Sequence, residues 1–128
     1  IADAVRWTGY VPDEQLVALY RESDVLVHPS RYEGFGLPPL EAMANQCPVV
    51  SSYASAMPEV IGDAAEFFDP LNLDSIASAI QNVVQSRVRT NDLIAKGLIR
   101  VQQFTWQTCA AQHLALYRKL SGTTATVQ

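Results

Sequence analysis

Val25-Leu26-Val27-His28, Pro29-Ser30-Arg31-Tyr32 and then Glu33-Gly34-Phe35-Gly36-Leu37-Pro38-Pro39-Leu40-Glu41-Ala42-Met43-Ala44 form the stretch whose reading decides the fold. Its opening run of three apolar residues, two of them β-branched, ends in His28 and is closed by Pro29, the pattern of a strand buried on both faces of a parallel sheet. Its last part reads as a helix from about Pro38 to Asn45, because proline is tolerated in a first helical turn. The segment between them carries two glycines. A strand feeding a helix through such a loop opens a βα unit, and open α/β sheets bind ligands at the carboxyl ends of their strands.

The same alternation extends outward in both directions. Val5-Arg6-Trp7-Thr8 reads as a strand ending at Gly9, and Asp13 as the cap of a helix whose apolar positions are Leu16, Val17, Leu19 and Tyr20. Pro48-Val49-Val50-Ser51 reads as a further strand, Pro58-Glu59-Val60-Ile61 as a short helical turn stopped by Gly62, and Ala65-Glu66-Phe67-Phe68 as another strand. Ile76, Ala79, Ile80, Val83 and Val84 mark an amphipathic helix. Two more helices follow, one carrying Leu93, Ile94, Leu98, Val101 and Phe104, the other Trp106, Ala110, Leu114 and Tyr117 as expected core residues. The expected architecture is α/β: a Rossmann-like parallel sheet of about four strands with helices on both faces. It occupies residues 1–120, followed by a frayed tail at 121–128.

Composition narrows the function. With 48% hydrophobic and 17% charged residues among 128, the chain is a globular domain. A formal net charge of −4 argues against nucleic acid as a partner. Cys47 and Cys109 lie far apart without CxxC spacing, and read as buried free thiols of a reducing compartment. No apolar run reaches the roughly 18 residues of a membrane span, and no signal peptide is visible. A cytoplasmic location is expected, with peripheral membrane association of a longer enzyme left open. Ile1 in place of an initiator methionine is expected of a piece of a longer protein, or of a chain without its leader.

The loop's chemistry follows from its residue types. Gly34, Phe35, Gly36 and Leu37 each carry a free amide, whereas Pro38 and Pro39 have none. These donors stand where a helix begins and adds roughly half a positive charge, a place suited to an anion. Glu33 and Glu41 flank the glycines and can accept hydrogen bonds from hydroxyls. Glu41 has an alternative reading, since a carboxylate in the first turns of a helix is electrostatically favoured on its own. Glu33 lacks that reason. His28 reads as a hydrogen-bonded structural histidine before a ligand contact. Glu59 is open between a helix start and a pocket wall. Arg31 is close enough in sequence to reach a phosphate, and His113 reads as surface.

The frame Pro29 to Ala44, with Glu33 and Glu41 as an E-x7-E pair, resembles the signature of GT-B glycosyltransferases of the group 1 type (family 4). The likeness covers nearly the whole chain. Gly9-Tyr10-Val11, Pro48-Val49-Val50, Pro58-Glu59-Val60, Gly62-Asp63-Ala64-Ala65, Phe68-Asp69-Pro70 and Phe104-Thr105-Trp106 fall in that family's order. The resemblance implies the carboxyl-terminal donor-binding domain of an enzyme that transfers a hexose from a nucleotide diphosphate sugar to an acceptor hydroxyl with retention. It implies no metal and no cofactor. Glu33 would contact hydroxyls of the donor sugar as the catalytic-site carboxylate. Gly34, Phe35, Gly36 and Leu37 would meet the sugar and diphosphate, Glu41 the ribose, and the Tyr10-Val11 turn the base. Pro38-Pro39 is similar to mannosyltransferase-like members, which points to GDP-mannose, with a UDP-hexose as the other donor. An inactive sugar-nucleotide-binding or oligomerising remnant is the alternative. A dinucleotide-binding oxidoreductase fits less well, because a third glycine is lacking and two carboxylates are present.

Departures from the family pattern carry their own expectations. Asn45-Gln46 stands where the family has a helix-ending glycine, so Asn45 is expected to share the capping role. The resemblance also implies an acceptor domain and two strands that precede this chain, together with the Arg and Lys that neutralise the diphosphate. Without those strands, Val5–Thr8 and Val25–His28 are expected either to pair directly or to share an edge with a second copy, giving a homo-oligomer.

Overall fold

The computed structural model describes residues 1–122; the tail expected at 121–128 lies outside them apart from Ser121 and Gly122. Strands β1 (Leu26–His28), β2 (Val49–Ser52) and β3 (Ala65–Phe68) form one parallel sheet in the order β1-β2-β3. Leu26 pairs with Val49 and His28 with Ser51, and Ser52 in turn with Phe68, so β2 and β3 end level and β1 ends one residue short of them. Among the described residues six α-helices accompany the sheet: α1 (Asp13–Glu22), α2 (Leu37–Ala44), α3 (Met57–Ile61), α4 (Leu73–Val84), α5 (Arg87–Val101) and α6 (Trp106–Leu120).

Side-chain alternation along β2 divides the core into two layers. Val49 packs on one face with Tyr20, Leu40, Met43, Met57, Val60 and Ile61, the inward residues of α1, α2 and α3. Val50, its neighbour, packs on the other face with Phe68, Ala79, Val83 and Leu93. All four β2 residues are buried, as a central parallel strand requires. Where α5 crosses α2, Gly97 leaves room for Met43: a Cβ there would stand 2.9 Å from Met43 Cγ.

Several expectations need correction. Among the described residues the sheet has three strands, because Val5–Thr8 joins no strand. Val5 is 68% and Trp7 92% exposed, so this run neither buries a face nor finds hydrogen-bond partners beside β1. Pro12 holds the N-cap position of α1 in an extended conformation, which moves Asp13 into the first turn as a favourable charge without a capping bond. At the end of α2 the left-handed residue is Gln46, at φ 62°. Asn45 contributes through its side chain, whose Nδ2 donates to the Glu41 carbonyl at 3.0 Å. Trp106, Leu114 and Tyr117 are not core: no residue of α6 is buried. Cys109, on the same helix, is an exposed free thiol, whereas Cys47 is buried as expected.

Candidate functional site

Loop Pro29–Gly36 runs from the carboxyl end of β1 to the amino end of α2. Its last residue, Gly36, takes φ 101° and ψ 59° at the N-cap of α2, and a Cβ at that position would collide with the Met57 methyl. This glycine is therefore demanded by the fold itself. Gly34 is different. It has no such conformation, and a Cβ on it would meet nothing. The two glycines that looked alike in the sequence have separate reasons.

Glu33 is partly exposed, and its backbone is tied across to the loop after β2. Its N–H donates to Ser55 Oγ at 3.4 Å, and Ser55 Oγ donates to its carbonyl at 2.8 Å. His28 Nε2 lies 3.5 Å from Glu33 Oε1, close enough for an ion pair when the imidazole is charged. That nitrogen is buried without a hydrogen-bond partner, which corrects the reading of His28 as a hydrogen-bonded structural histidine. Among the described residues, the amides of Gly34, Phe35 and Gly36 donate to no protein group.

Glu41, one helical turn into α2, is held from α1. The Tyr20 hydroxyl donates to Glu41 Oε2 at 3.2 Å. Burial, and then the neighbouring Glu41 carboxylate, pushes the Tyr20 phenol up to about 12. Glu41, Phe35 and Leu37 share the wall of a cavity of about 580 Å³ with Leu40, Ala44, Val101, Phe104, Thr105, Trp106 and Cys109. Phe35 meets Phe104 edge-on at 5.7 Å, and Phe104 in turn lies 5.0 Å beneath the Arg100 guanidinium. This wall is mostly apolar, carries no charged side chain besides Glu41, and offers no cation to a diphosphate. Arg100 is already engaged with the carbonyls of Val60 and Glu59 and with Gln103 Oε1.

Tyr10 and Val11 do not line this cavity. They line a second concavity of about 440 Å³ with Arg6, Trp7, Thr8 and residues of α1, and that lining includes no residue of the Gly34–Leu37 loop. Glu59 is exposed in the first turn of α3 and lines neither cavity, and Arg31 is exposed. Among the described residues there is no cluster of His, Cys, Asp and Glu that could hold a metal ion, and no helix long and apolar enough to cross a membrane. Sequence reasoning missed Ser55 and Tyr20 as partners of the two carboxylates. The signal for Ser55 was its place after β2, at the same sheet edge as the Glu33 loop. For Tyr20 it was a phenol on the buried face of α1, which must find a hydrogen-bond acceptor.

Residues 1–99 match the family described as Glycosyl transferases group 1. The O-antigen chain mannosyltransferase B of Escherichia coli is 43% identical over 116 residues, which is 91% of this chain and 30% of that protein. The MMP alpha-(1->4)-mannosyltransferase of Mycolicibacterium hassiacum is 38% identical over 123 residues, 93% of this chain and again 30% of the relative. Among solved structures, sucrose-phosphate synthase from Thermosynechococcus elongatus superposes with a TM-score of 0.82 at 32% identity, over 95% of this chain and 31% of that one. The chain thus spans about 30% of the length of these curated relatives. Its strand–loop–helix unit, its two flanking carboxylates and these matches lead to one conclusion: the chain belongs to the group 1 glycosyl transferase family.

Proposed function

We propose that this chain forms the nucleotide-sugar site of a retaining hexosyltransferase whose leading donor is GDP-mannose, with a UDP-hexose as the second choice. The acceptor is a hydroxyl compound, and the acceptor domain belongs to sequence that the longer relatives possess. The observation that carries this reading is the run of uncommitted amides at Gly34, Phe35 and Gly36, set at the amino end of α2 between two carboxylates. Amides and a helix amino end suit a diphosphate, and carboxylates suit vicinal hydroxyls.

Each residue then has a task. Glu33 accepts hydrogen bonds from the sugar hydroxyls. Gly34, which no feature of the fold obliges to be glycine, lets a ligand approach the backbone closely. Glu41, steadied by Tyr20, accepts from the ribose. Tyr10, exposed beside Val11, offers a ring face to the base. The apolar cavity wall supplies no cation, so the charge of the departing diphosphate is met by basic residues outside this chain. The mannosyltransferase names of two relatives favour mannose as the transferred sugar.

Calorimetric titration of the chain with GDP-mannose, UDP-glucose and NAD tests the reading. Saturable binding of a sugar nucleotide, weakened about tenfold or more by Glu33→Gln as a lost hydroxyl–carboxylate contact requires, is the expected result. Binding of NAD alone, or of none of the three, contradicts it.

A further inference from the structure

We propose that Ser55 is a positioning residue that fixes the backbone of Glu33 and thereby sets how well this carboxylate meets its ligand; the proposal rests on the donor-binding reading above. The two residues are 22 positions apart, yet one hydroxyl serves both backbone groups of Glu33. It accepts from the N–H at 3.4 Å and donates to the carbonyl at 2.8 Å. A second tie lies nearby: Ser52 Oγ donates to the Ser30 carbonyl. The loop after β1 is thus gripped at two points, Ser30 and Glu33, by hydroxyls at and just beyond the end of β2.

The conformation of Ser55 strengthens the inference. Its φ is 53°, in the left-handed region that side-chain-bearing residues rarely occupy. Glycine would fit that backbone with less strain, but has no hydroxyl. Alanine would keep the strain and lose both bonds, and threonine's branched Cβ suits positive φ poorly. Among the described residues the Glu33 carboxylate has one neighbouring side chain in ion-pair range, His28 at 3.5 Å, so its direction depends on the backbone that Ser55 holds.

Ser55→Gly separates positioning from simple support, because it removes the tie while relieving the backbone strain. The chain, Ser55→Gly, Ser55→Ala, Glu33→Gln and the Ser55→Gly/Glu33→Gln double variant are compared by thermal unfolding, GDP-mannose calorimetry and ¹⁵N relaxation. Ser55→Gly is expected to unfold at or above the temperature of the parent chain, yet to bind GDP-mannose about tenfold more weakly, as loss of a hydrogen-bonded support allows. In the Glu33→Gln background the same change is expected to cost under about twofold, since Ser55 acts through that carboxylate. Undiminished affinity in Ser55→Gly, or a full effect that persists without the Glu33 carboxylate, overturns the proposal. If the parent chain does not bind GDP-mannose, the donor reading is what fails, and relaxation decides the tie by itself. Order parameters at Glu33 and Gly34 that fall in Ser55→Gly support the tie, and unchanged values overturn it.

Discussion

The hydroxyl of Tyr20, near the end of α1, donates a 3.2 Å hydrogen bond to Oε2 of Glu41 on α2. It joins two helices of the same core layer and gives a carboxylate of the proposed site a fixed partner from a distant part of the chain. The bond has a measurable signature in alkali. The Tyr20 phenol is held up near 12, against an ordinary value of 10.0, first by burial and then by the Glu41 charge. The folded chain therefore keeps its proton where the unfolded chain loses it. The stabilisation is complete below about pH 10 and is lost as pH rises toward 12. Urea unfolding across that range should show the parent chain losing stability faster than Tyr20→Phe. At neutral pH, Tyr20→Phe should cost about 1 kcal/mol, the worth of an ordinary hydrogen bond.

The two loop glycines should respond in opposite ways to alanine. Gly36→Ala forces a Cβ onto φ 101° and into the Met57 methyl, which is fully buried. A loss of about 2–4 kcal/mol in urea-derived stability is expected from left-handed strain plus overpacking. Gly34→Ala meets neither obstacle and should leave stability within about 0.5 kcal/mol of the parent. If Gly34 is the point of close ligand approach, its alanine variant should nonetheless lose affinity for GDP-mannose.

Arg100 ties α5 to α3. Its guanidinium donates to the Val60 carbonyl at 2.8 Å and to the Glu59 carbonyl, both in the last turn of α3, where carbonyls lack intrahelical partners. It also covers Phe104, the ring against which Phe35 of the loop rests. Arg100→Ala should destabilise the chain by about 1–3 kcal/mol, the range for hydrogen bonds to a charged group. Arg100→Lys should recover only part of this, because an ammonium cannot reproduce the planar fork. Chemical denaturation of the three chains gives the comparison.

Much of this architecture was legible in the sequence, for identifiable reasons. Strand β3 was read at its exact bounds, because Ala65-Glu66-Phe67-Phe68 is bracketed by a helix-ending Gly62 and by Asp69-Pro70. Strand β2 was read within one residue from its apolar run after Pro48. These signals are local. The failures were of another kind. Val5–Thr8 has strand-like residues, but a strand also needs a neighbour, and local pattern does not say whether one is present. The apolar stripe of α6 read as core because periodicity shows which face is apolar, not whether anything covers it. At the site, the carboxylates and loop amides were visible from residue type. Ser55 and Tyr20 were not, because their importance lies in contacts made 22 and 21 positions away.

The central claim is that the Glu33–Glu41 loop receives a nucleotide sugar through its backbone, and backbone amide chemical shifts report on this most directly. Titration of the ¹⁵N-labelled chain with GDP-mannose should move the resonances of Gly34, Phe35, Gly36 and Leu37 together along one saturable curve. Glu33→Gln should weaken that curve while leaving the rest of the spectrum in place. Saturable shifts confined to residues outside this loop, or no shifts with either GDP-mannose or UDP-glucose, would contradict the account.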